Sequence, residues 1–171
     1  MRVNLFGEIY VEPIDIAKQI VESFNNQYGI KFQPNTSKVT GFDYWNNSRF
    51  PMTSTPTIYC IYKDGEPQYV GKTETNDGLR MRVGRFCCEL QGKTARAGNH
   101  PGAKKYKHFH KEDYSNLTVK YYEITNQILN IPDNPITLSQ IETEVIRLIN
   151  PLFNQEIYKK AWIAQAVLEI E

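Results

Sequence analysis

The sequence lacks several features that would assign it to a broad class at once. No apolar run reaches about 18 residues, so we expect no membrane-spanning helix. The N-terminal stretch MRVNLFGEIYVEP lacks the basic and then apolar layout of a secretory signal. Cysteines occur only at Cys60, Cys87 and Cys88, and two of these are adjacent, which indicates no disulfide framework. A reducing, cytoplasmic location is the simplest expectation.

A large excess of charge is also missing. The formal net charge is only +1, which by itself predicts no class of partner. The distribution is uneven, because residues 82–111 contain eight basic residues and the single acid Glu89, a net +7, so that the rest of the chain carries −6. This asymmetry favours a basic surface that faces a polyanion, although a solvated lysine-rich loop is the alternative for a charge run alone.

Apolar spacing and turn residues predict an α+β fold. The stretch TPTIYCIYKDGEPQYVGKT, residues 55–73, has the pattern of a β-hairpin that turns at Asp64-Gly65. Strands joined by a hairpin rather than by repeated crossovers favour a small antiparallel or mixed three-stranded sheet flanked by helices, with an N-terminal helical extension. The other predicted elements are helices at 13–27, 78–90, 138–150 and 157–168, a connector at 28–56, a loop at 91–111 and a third strand at 116–124.

One carboxylate falls on the apolar face of a predicted helix. Within residues 138–150, Glu142 lies inside the apolar arc, whereas Glu144 lies outside it and can reach solvent. Burying a carboxylate is costly unless a metal ion or a cationic partner compensates it. The alternative is a capping box with Ser139, but Thr137-x-x-Gln140 offers an equally good box two residues earlier and would leave Glu142 available.

Four short stretches occur in a fixed order along the chain. Thr57-Ile58-Tyr59 and Tyr69-Val70-Gly71 lie on the two hairpin strands. Leu79-Arg80-Met81-Arg82 follows on the next predicted helix, and ETEVIRLINPLFN runs from Glu142 to Asn154. Each stretch alone occurs by chance. Together, in this order, they resemble the motifs of the GIY-YIG nucleases, and the resemblance covers residues 55–156.

The resemblance implies an enzyme that hydrolyses phosphodiester bonds of double-stranded DNA. It implies one Mg²⁺ (or Mn²⁺) per active site, held by Glu142. Residues 55–156 would form the nuclease core, with residues 1–54 packed on it and residues 157–171 as a C-terminal helix. The size is most like that of the compact restriction endonucleases of this family, which cut both strands, usually as homodimers or higher assemblies. The alternatives are a phage, mobile-element or repair nuclease of the family, or a DNA-binding module of the same fold without the chemistry.

The resemblance also implies a role for each motif residue. Tyr59 is the candidate general base, and because a free tyrosine has a pKa of about 10, the surrounding cations must help it to lose its proton. Gly71 would let the backbone approach the substrate closely. The implied catalytic residues are Tyr59 as the base, Tyr69 and Arg82 for the phosphate, Glu142 for the metal, Asn154 to hold the helix end, and Lys72.

Three positions depart from the family pattern. Thr57 replaces the first glycine of the family's first motif. The gap between Gly71 and Arg82 is longer than usual, so Arg80 is a rival for the catalytic arginine. Phe86 stands where many members carry a histidine. Lys72, His108 and His110 are the candidates to replace that histidine.

The basic stretch 91–111 lies between the candidate catalytic arginine and the third predicted strand. We interpret it as an insertion that binds DNA, in which lysines and arginines contact phosphates while Arg96, Asn99 or His100 reaches base edges. The candidate DNA-binding residues are Arg85, Lys93, Arg96, Asn99, His100, Lys104, Lys105 and Lys107.

Overall fold

The computed structural model describes residues 2–3, 9–32, 50, 54–74, 78–90, 100–110, 116–129 and 135–155. Its strands are β1 (Arg2–Val3), β2 (Ile9–Tyr10), β3 (Ile30–Lys31), β4 (Thr57–Lys63), β5 (Glu66–Thr73) and β6 (Leu117–Glu123). Its helices are α1 (Pro13–Asn26), α2 (Gly78–Leu90), α3 (Pro101–His110), α4 (Asn126–Leu129) and α5 (Leu138–Ile149), and a 3₁₀ helix (Leu152–Asn154) follows. This arrangement confirms the predicted α+β class.

The main sheet is antiparallel and has the strand order β3-β6-β4-β5. The hairpin of β4 and β5 turns at Asp64 and Gly65, whose φ angles of 52° and 86° lie in the left-handed region that tight hairpin turns require. The predicted third strand, β6, pairs with β4 on its other side. The expected number of three strands is wrong, because β3 adds a fourth strand from the predicted connector. Its two residues are too few to show an alternating pattern.

Different helices cover the two faces of this sheet. Side chains along β4 alternate, so that Ile58 and Cys60 pack on one face while Tyr59 and Ile61 pack on the other. Helices α1 and α5 cover the Ile58 face. Helices α2 and α3 cover the Tyr59 face. Hereafter these are called the Ile58 face and the Tyr59 face.

Helix α5 begins with the earlier of the two candidate capping boxes. The Thr137 hydroxyl accepts a hydrogen bond from the Gln140 backbone N–H, and the Gln140 side chain accepts one from the Thr137 backbone N–H. The helix ends at Asn150, which has a left-handed conformation and precedes Pro151. Glu142 is therefore not a capping residue, and its carboxylate remains available for another role.

Helix α3 corrects the prediction of a loop over residues 91–111. Pro101 stands at the first helical position, where its missing N–H costs nothing, so it starts the helix rather than breaking it. Ala103 and Tyr106 are buried against the Tyr59 face. Gly102 allows a close approach, since a Cβ atom there would lie 2.7 Å from the ring of Tyr69.

Two of the sequence predictions fall on residues that the structure does not describe. The predicted C-terminal helix at 157–168 lies wholly outside the described residues, and so does most of the predicted connector at 28–56.

Helix α1 matches the predicted N-terminal helix to within one residue. None of the helices in the described part of the chain is long and apolar enough to cross a membrane.

Candidate active site

Two tyrosines lie side by side on the Tyr59 face. Tyr59 on β4 is fully buried and stands opposite Gly71 on β5, and Tyr69 projects to the same face two residues earlier. The two rings have their centroids 6.3 Å apart. A Cβ atom at Gly71 would lie 2.5 Å from the Tyr59 hydroxyl oxygen. The glycine thus makes room for the Tyr59 ring, whereas the sequence analysis expected it to make room for the substrate.

Helix α2 adds an arginine to this pair. Arg82 is half-buried and donates a hydrogen bond from Nε to the hydroxyl oxygen of Tyr59 at 3.3 Å. It also lowers the pKa of the Tyr69 hydroxyl, which burial raises more strongly. Arg80 instead donates from Nε to the carbonyl oxygen of Phe50 at 2.9 Å. Of the two candidate arginines, the geometry favours Arg82.

A histidine completes the set of groups around the Tyr59 hydroxyl, and it is one that the sequence analysis placed on a DNA-binding surface. His100 is 1% exposed, and its Nε2 lies 3.1 Å from the hydroxyl oxygen of Tyr59. Its ring meets Tyr69 and Phe86 edge-on, at centroid distances of 5.4 and 5.2 Å. His100 therefore lies between Phe86 and the Tyr59 hydroxyl, and it is not among the three residues that the sequence analysis named as replacements for the missing histidine. We call Tyr59, Tyr69, Arg82 and His100 the tyrosine cluster.

The two histidines suggested as replacements lie elsewhere. His110 shares a hydrogen bond of 3.0 Å with Gln68 and packs against Tyr106. His108 lies in an open groove between α2 and α3. Sequence reasoning missed His100 for two reasons. It lies 41 positions from Tyr59, and the glycines and proline around it predicted a loop where the structure has helix α3.

The hydrogen bonds of His100 fix the position of its proton. The backbone N–H of Ala103 donates to Nδ1 at 3.3 Å, so Nδ1 is an acceptor. Burial and the nearby Arg82 lower the pKa of His100 to about 3, so the ring is neutral. Its one proton is therefore on Nε2, which donates to Tyr59. The Tyr59 oxygen then accepts two N–H bonds, one from His100 and one from Arg82.

Burial opposes the ionisation of Tyr59. It raises the pKa of this hydroxyl well above 10, and Arg82 lowers it by less. The sequence analysis expected the surrounding cations to help Tyr59 to lose its proton, and Arg82 does lower this pKa, but burial raises it by more in the free chain. Burial removes the phenolate from water and so raises the pKa by more than one half-exposed guanidinium can lower it. Tyr59 thus retains its proton at neutral pH.

Glu142 approaches this cluster from the other side of the sheet. Helix α5 covers the Ile58 face but also packs along the edge strand β5. Partial burial raises the pKa of Glu142, while Lys72 and Arg82 lower it. Among the described residues, no hydrogen bond or ion pair engages its carboxylate. A half-buried carboxylate without a protein partner fits a hard divalent cation that keeps several waters.

Lys72 lies beside this carboxylate and joins two elements. Its Nζ donates to the hydroxyl of Ser139 on α5 and to the carboxylate of Glu74 at 2.9 Å. Since Ser139 precedes Glu142 by less than one helical turn, Lys72 fixes the edge strand to the part of α5 that carries Glu142.

Asn154 secures the same strand from its open edge. Its Oδ1 accepts a hydrogen bond from the backbone N–H of Val70 at 2.8 Å, and its Nδ2 donates to the Val70 carbonyl at 3.0 Å. The amide group therefore pairs with β5 as a neighbouring strand would. Val70 lies between Tyr69 and Gly71, so Asn154 helps to hold the strand segment that faces Tyr59.

The predicted DNA-binding residues do not form one exposed surface. Lys105 is 9% exposed and donates from Nζ to the carbonyl oxygen of Phe153 at 2.6 Å, so it is an internal contact. Arg85 and Lys104 are half-buried and Lys107 is exposed. Lys93, Arg96 and Asn99 lie outside the described residues. Lys105 and His100 are thus corrected to internal positions.

Comparisons with known proteins add no further information about this site. Neither the scan against family models nor the searches of curated proteins and solved structures found a match. The function is therefore argued from the residues and their geometry.

Proposed function

We propose that this protein is a metal-dependent endonuclease that hydrolyses phosphodiester bonds in DNA. One observation carries the proposal. The guanidinium of Arg82 donates a hydrogen bond to the Tyr59 hydroxyl, and its charge lowers the pKa of Glu142. The three residues come from distant parts of the chain. A phenol, a guanidinium and an unpaired carboxylate in one neighbourhood suit a reaction that moves a proton from water while negative charge grows on a phosphate.

Arg82 has donors to spare for a phosphate. A guanidinium carries five N–H groups; the Nε–H of Arg82 contacts Tyr59, and a further hydrogen bond links the guanidinium to Tyr69. The remaining donors match the planar spacing of phosphate oxygens. Glu142 would hold the cation, and a divalent ion there would stabilise the charge that develops on the phosphoryl oxygens.

Tyr59 is poised to take a proton from water after losing its own. Because its oxygen accepts bonds from His100 and Arg82, its hydroxyl proton must point in a third direction; this proton would pass to bulk water before the phenolate takes one from the attacking water. Once the proton has left, the same two N–H groups stabilise the phenolate. General-base action of this kind contributes about 10²–10⁴-fold to a rate. We propose that His100 supports the phenolate as a donor and does not itself take the proton.

Within this class, the proposal is a type II restriction endonuclease acting on double-stranded DNA. One active site cuts one strand at a time, and a homodimer or a higher assembly would present two sites to the duplex, so such an assembly is part of the proposal. A phage, mobile-element or repair enzyme of the same kind is the alternative. A DNA-binding module without activity is less well supported, because every group needed for the chemistry is present.

Plasmid cleavage with a pair of glutamate variants tests the proposal. We expect the protein to cut plasmid DNA with Mg²⁺ and not with a chelator, giving discrete fragments. Glu142→Ala should abolish cutting but retain DNA binding in a gel shift, because it removes the metal ligand alone. The control is Glu144→Ala, since Glu144 lies on the same helix and pairs with Arg147.

The outcomes separate the alternatives. Discrete fragments support a restriction enzyme, and a smear supports a nonspecific nuclease. Intact plasmid with a gel shift would favour the binding module. Cutting by Glu142→Ala at the wild-type rate would exclude the metal role of this carboxylate.

A further inference from the structure

Helix α3 buries a lysine that the proposed chemistry does not use. Lys105 is 9% exposed, and its Nζ donates a hydrogen bond to the carbonyl oxygen of Phe153 at 2.6 Å. Phe153 is fully buried and belongs to the 3₁₀ helix that follows α5. Because a helix leaves its last carbonyl groups without a partner, Lys105 satisfies an acceptor that water does not reach.

The side chains of α3 hold the same 3₁₀ helix. The ring of Phe153 meets those of Tyr106, Phe109 and His110 at centroid distances of 6.1, 5.6 and 5.9 Å. Lys105 therefore fixes the backbone of a residue whose ring also packs on α3. The two helices are joined through both the backbone and the side chain of Phe153.

The residue after Phe153 connects this contact to the edge strand. The side chain of Asn154 pairs with both backbone groups of Val70, at 2.8 and 3.0 Å. Val70 follows Tyr69 directly on β5. A displacement of the 3₁₀ helix would therefore displace the strand segment that carries Tyr69.

A second contact from α3 reaches the other side of Tyr69. His110 shares a hydrogen bond of 3.0 Å with Gln68, which precedes Tyr69 on β5. The ring of Tyr69 lies close to Gly102 of α3 and edge-on to the ring of His100. Helix α3 thus fixes Tyr69 directly and also through the residues on both sides of it.

We propose that Lys105 is a positioning residue that holds Tyr69 in place for the phosphate of the substrate. It acts through the 3₁₀ helix and β5, and in this role it contacts neither DNA nor metal. The inference rests on the proposed function, because that function is what gives Tyr69 a phosphate to bind. Lys105 thus supports the reaction from inside the protein, whereas the sequence analysis expected it to bind DNA.

Another lysine provides a matched control. Lys120 on β6 also donates from Nζ to a backbone carbonyl oxygen at 2.6 Å, that of Phe24. Phe24 lies on α1, which covers the Ile58 face, so this contact has the same chemistry on the opposite side of the sheet. Replacing either lysine by methionine keeps most of the length of the side chain and removes the donor.

NMR of the free protein tests the path of contacts without any cleavage. Lys105→Met should shift the signals of the Asn154 side-chain amide and the Val70 backbone N–H, because the 3₁₀ helix loses its bond to α3. Exchange of the Val70 N–H with solvent should also become faster. Lys120→Met should leave these signals in place. Unchanged Asn154 and Val70 signals in Lys105→Met would overturn the inference.

Steady-state cleavage separates positioning from DNA binding. Lys105→Met should lower kcat by about 10–100-fold with little change in KM, since a misplacement of about 1 Å can cost about 10²-fold in rate. Lys105→Arg keeps N–H donors and should recover most of this loss, and Lys120→Met should keep the wild-type kcat. A raised KM at unchanged kcat in Lys105→Met would assign Lys105 to DNA binding. Equal losses in the two methionine variants would assign it to stability alone, and either result would overturn the inference.

A double variant tests whether Lys105 acts through Asn154. Asn154→Ala removes the pairing with Val70. If both residues act along one path, adding Lys105→Met to Asn154→Ala should lower kcat little further, whereas the losses of independent residues multiply. Multiplied losses would contradict the inference.

The wild type supplies a measurement that needs no variant to fold. The Nζ protons of Lys105 should exchange slowly with water, like those of Lys120, while those of the exposed Lys107 exchange fast. Fast exchange at Lys105 would show that its bond to Phe153 does not persist, and the inference would fail.

The NMR result is independent of the plasmid assay. Shifts at Asn154 and Val70 in Lys105→Met, in a protein that fails to cut DNA, would support the path of contacts and refute the nuclease. Cleavage at the wild-type rate by Lys105→Met would refute the positioning role and leave the nuclease in place.

Discussion

The two faces of the main sheet differ in what they bury. The Ile58 face packs aliphatic side chains and one phenylalanine from α1 and α5 against the strands, including Ile20, Phe24, Ile141 and Val145. The Tyr59 face also packs aromatic rings, including Phe86 against His100 and Tyr106, and there the Tyr59 hydroxyl meets Nε2 of His100. Both faces contain an apolar core, and the second also contains the candidate active site.

This division arises within single strands. Because neighbouring residues on β4 point in opposite directions, Tyr59 belongs to the site while Ile58 and Cys60 belong to the apolar core. Glu142 is the exception, since its helix covers the apolar face but runs along the edge strand. At this edge the carboxylate proposed to hold the metal, from one layer, can meet the phenol and the guanidinium of the other layer.

The strongest test of this division compares two tyrosines on one strand. Tyr59→Phe should lower the cleavage rate by about 10²–10⁴-fold, because it removes the group that takes the proton from water. Tyr62→Phe is the matched control, since Tyr62 packs on the Ile58 face and its hydroxyl pKa is likewise raised by burial. Single-turnover cleavage of a defined DNA duplex measures both.

The same two variants can also contradict the proposed difference between the two faces. Comparable loss of activity in both variants would mean that the two faces do not differ in function. A full rate in Tyr59→Phe would remove the tyrosine from the chemistry. Chemical denaturation of each variant is needed beside the rates, because loss of the Tyr59 hydroxyl leaves the buried Nε2–H of His100 without an acceptor, at a cost of about 1–3 kcal/mol.

A smaller effect follows from the ionisation of Tyr59. Its pKa is raised by burial, so the deprotonated form is a minor species at neutral pH and its fraction grows tenfold with each pH unit. The cleavage rate with saturating Mg²⁺ should therefore rise about tenfold per unit between about pH 7 and pH 9. A rate that is flat or falls over this range would contradict the assignment. Any residual cleavage by Tyr59→Phe should lack this slope.

Much of the fold was predictable because its signals are local. The turn at Asp64-Gly65 specified the hairpin, the apolar spacing gave α1 and α5, and the β-branched and aromatic content gave β6. The Thr137-Gln140 box was readable from side-chain chemistry and correctly left Glu142 available. Arg82 was preferred over Arg80 on spacing alone, and the geometry agrees.

The errors concern contacts between distant parts of the chain. His100 and Lys105 looked like members of a basic loop, and only the packing of α3 onto the sheet turns them inward. Gly71 owes its identity to the Tyr59 ring across the hairpin, a neighbour that sequence order does not reveal. The raised pKa of Tyr59 follows from complete burial, which depends on both covering helices. None of these features has a local pattern that sequence reasoning could use.

The central claim is that Tyr59, Arg82 and Glu142 surround one metal-loaded position, and paramagnetic NMR tests it most directly. Mn²⁺ added in place of Mg²⁺ broadens the signals of nuclei close to it. We predict strong broadening of the Tyr59 ring and Arg82 Nε–H signals in the wild type, and its loss in Glu142→Ala. Broadening centred elsewhere, or unchanged in that variant, would contradict the account.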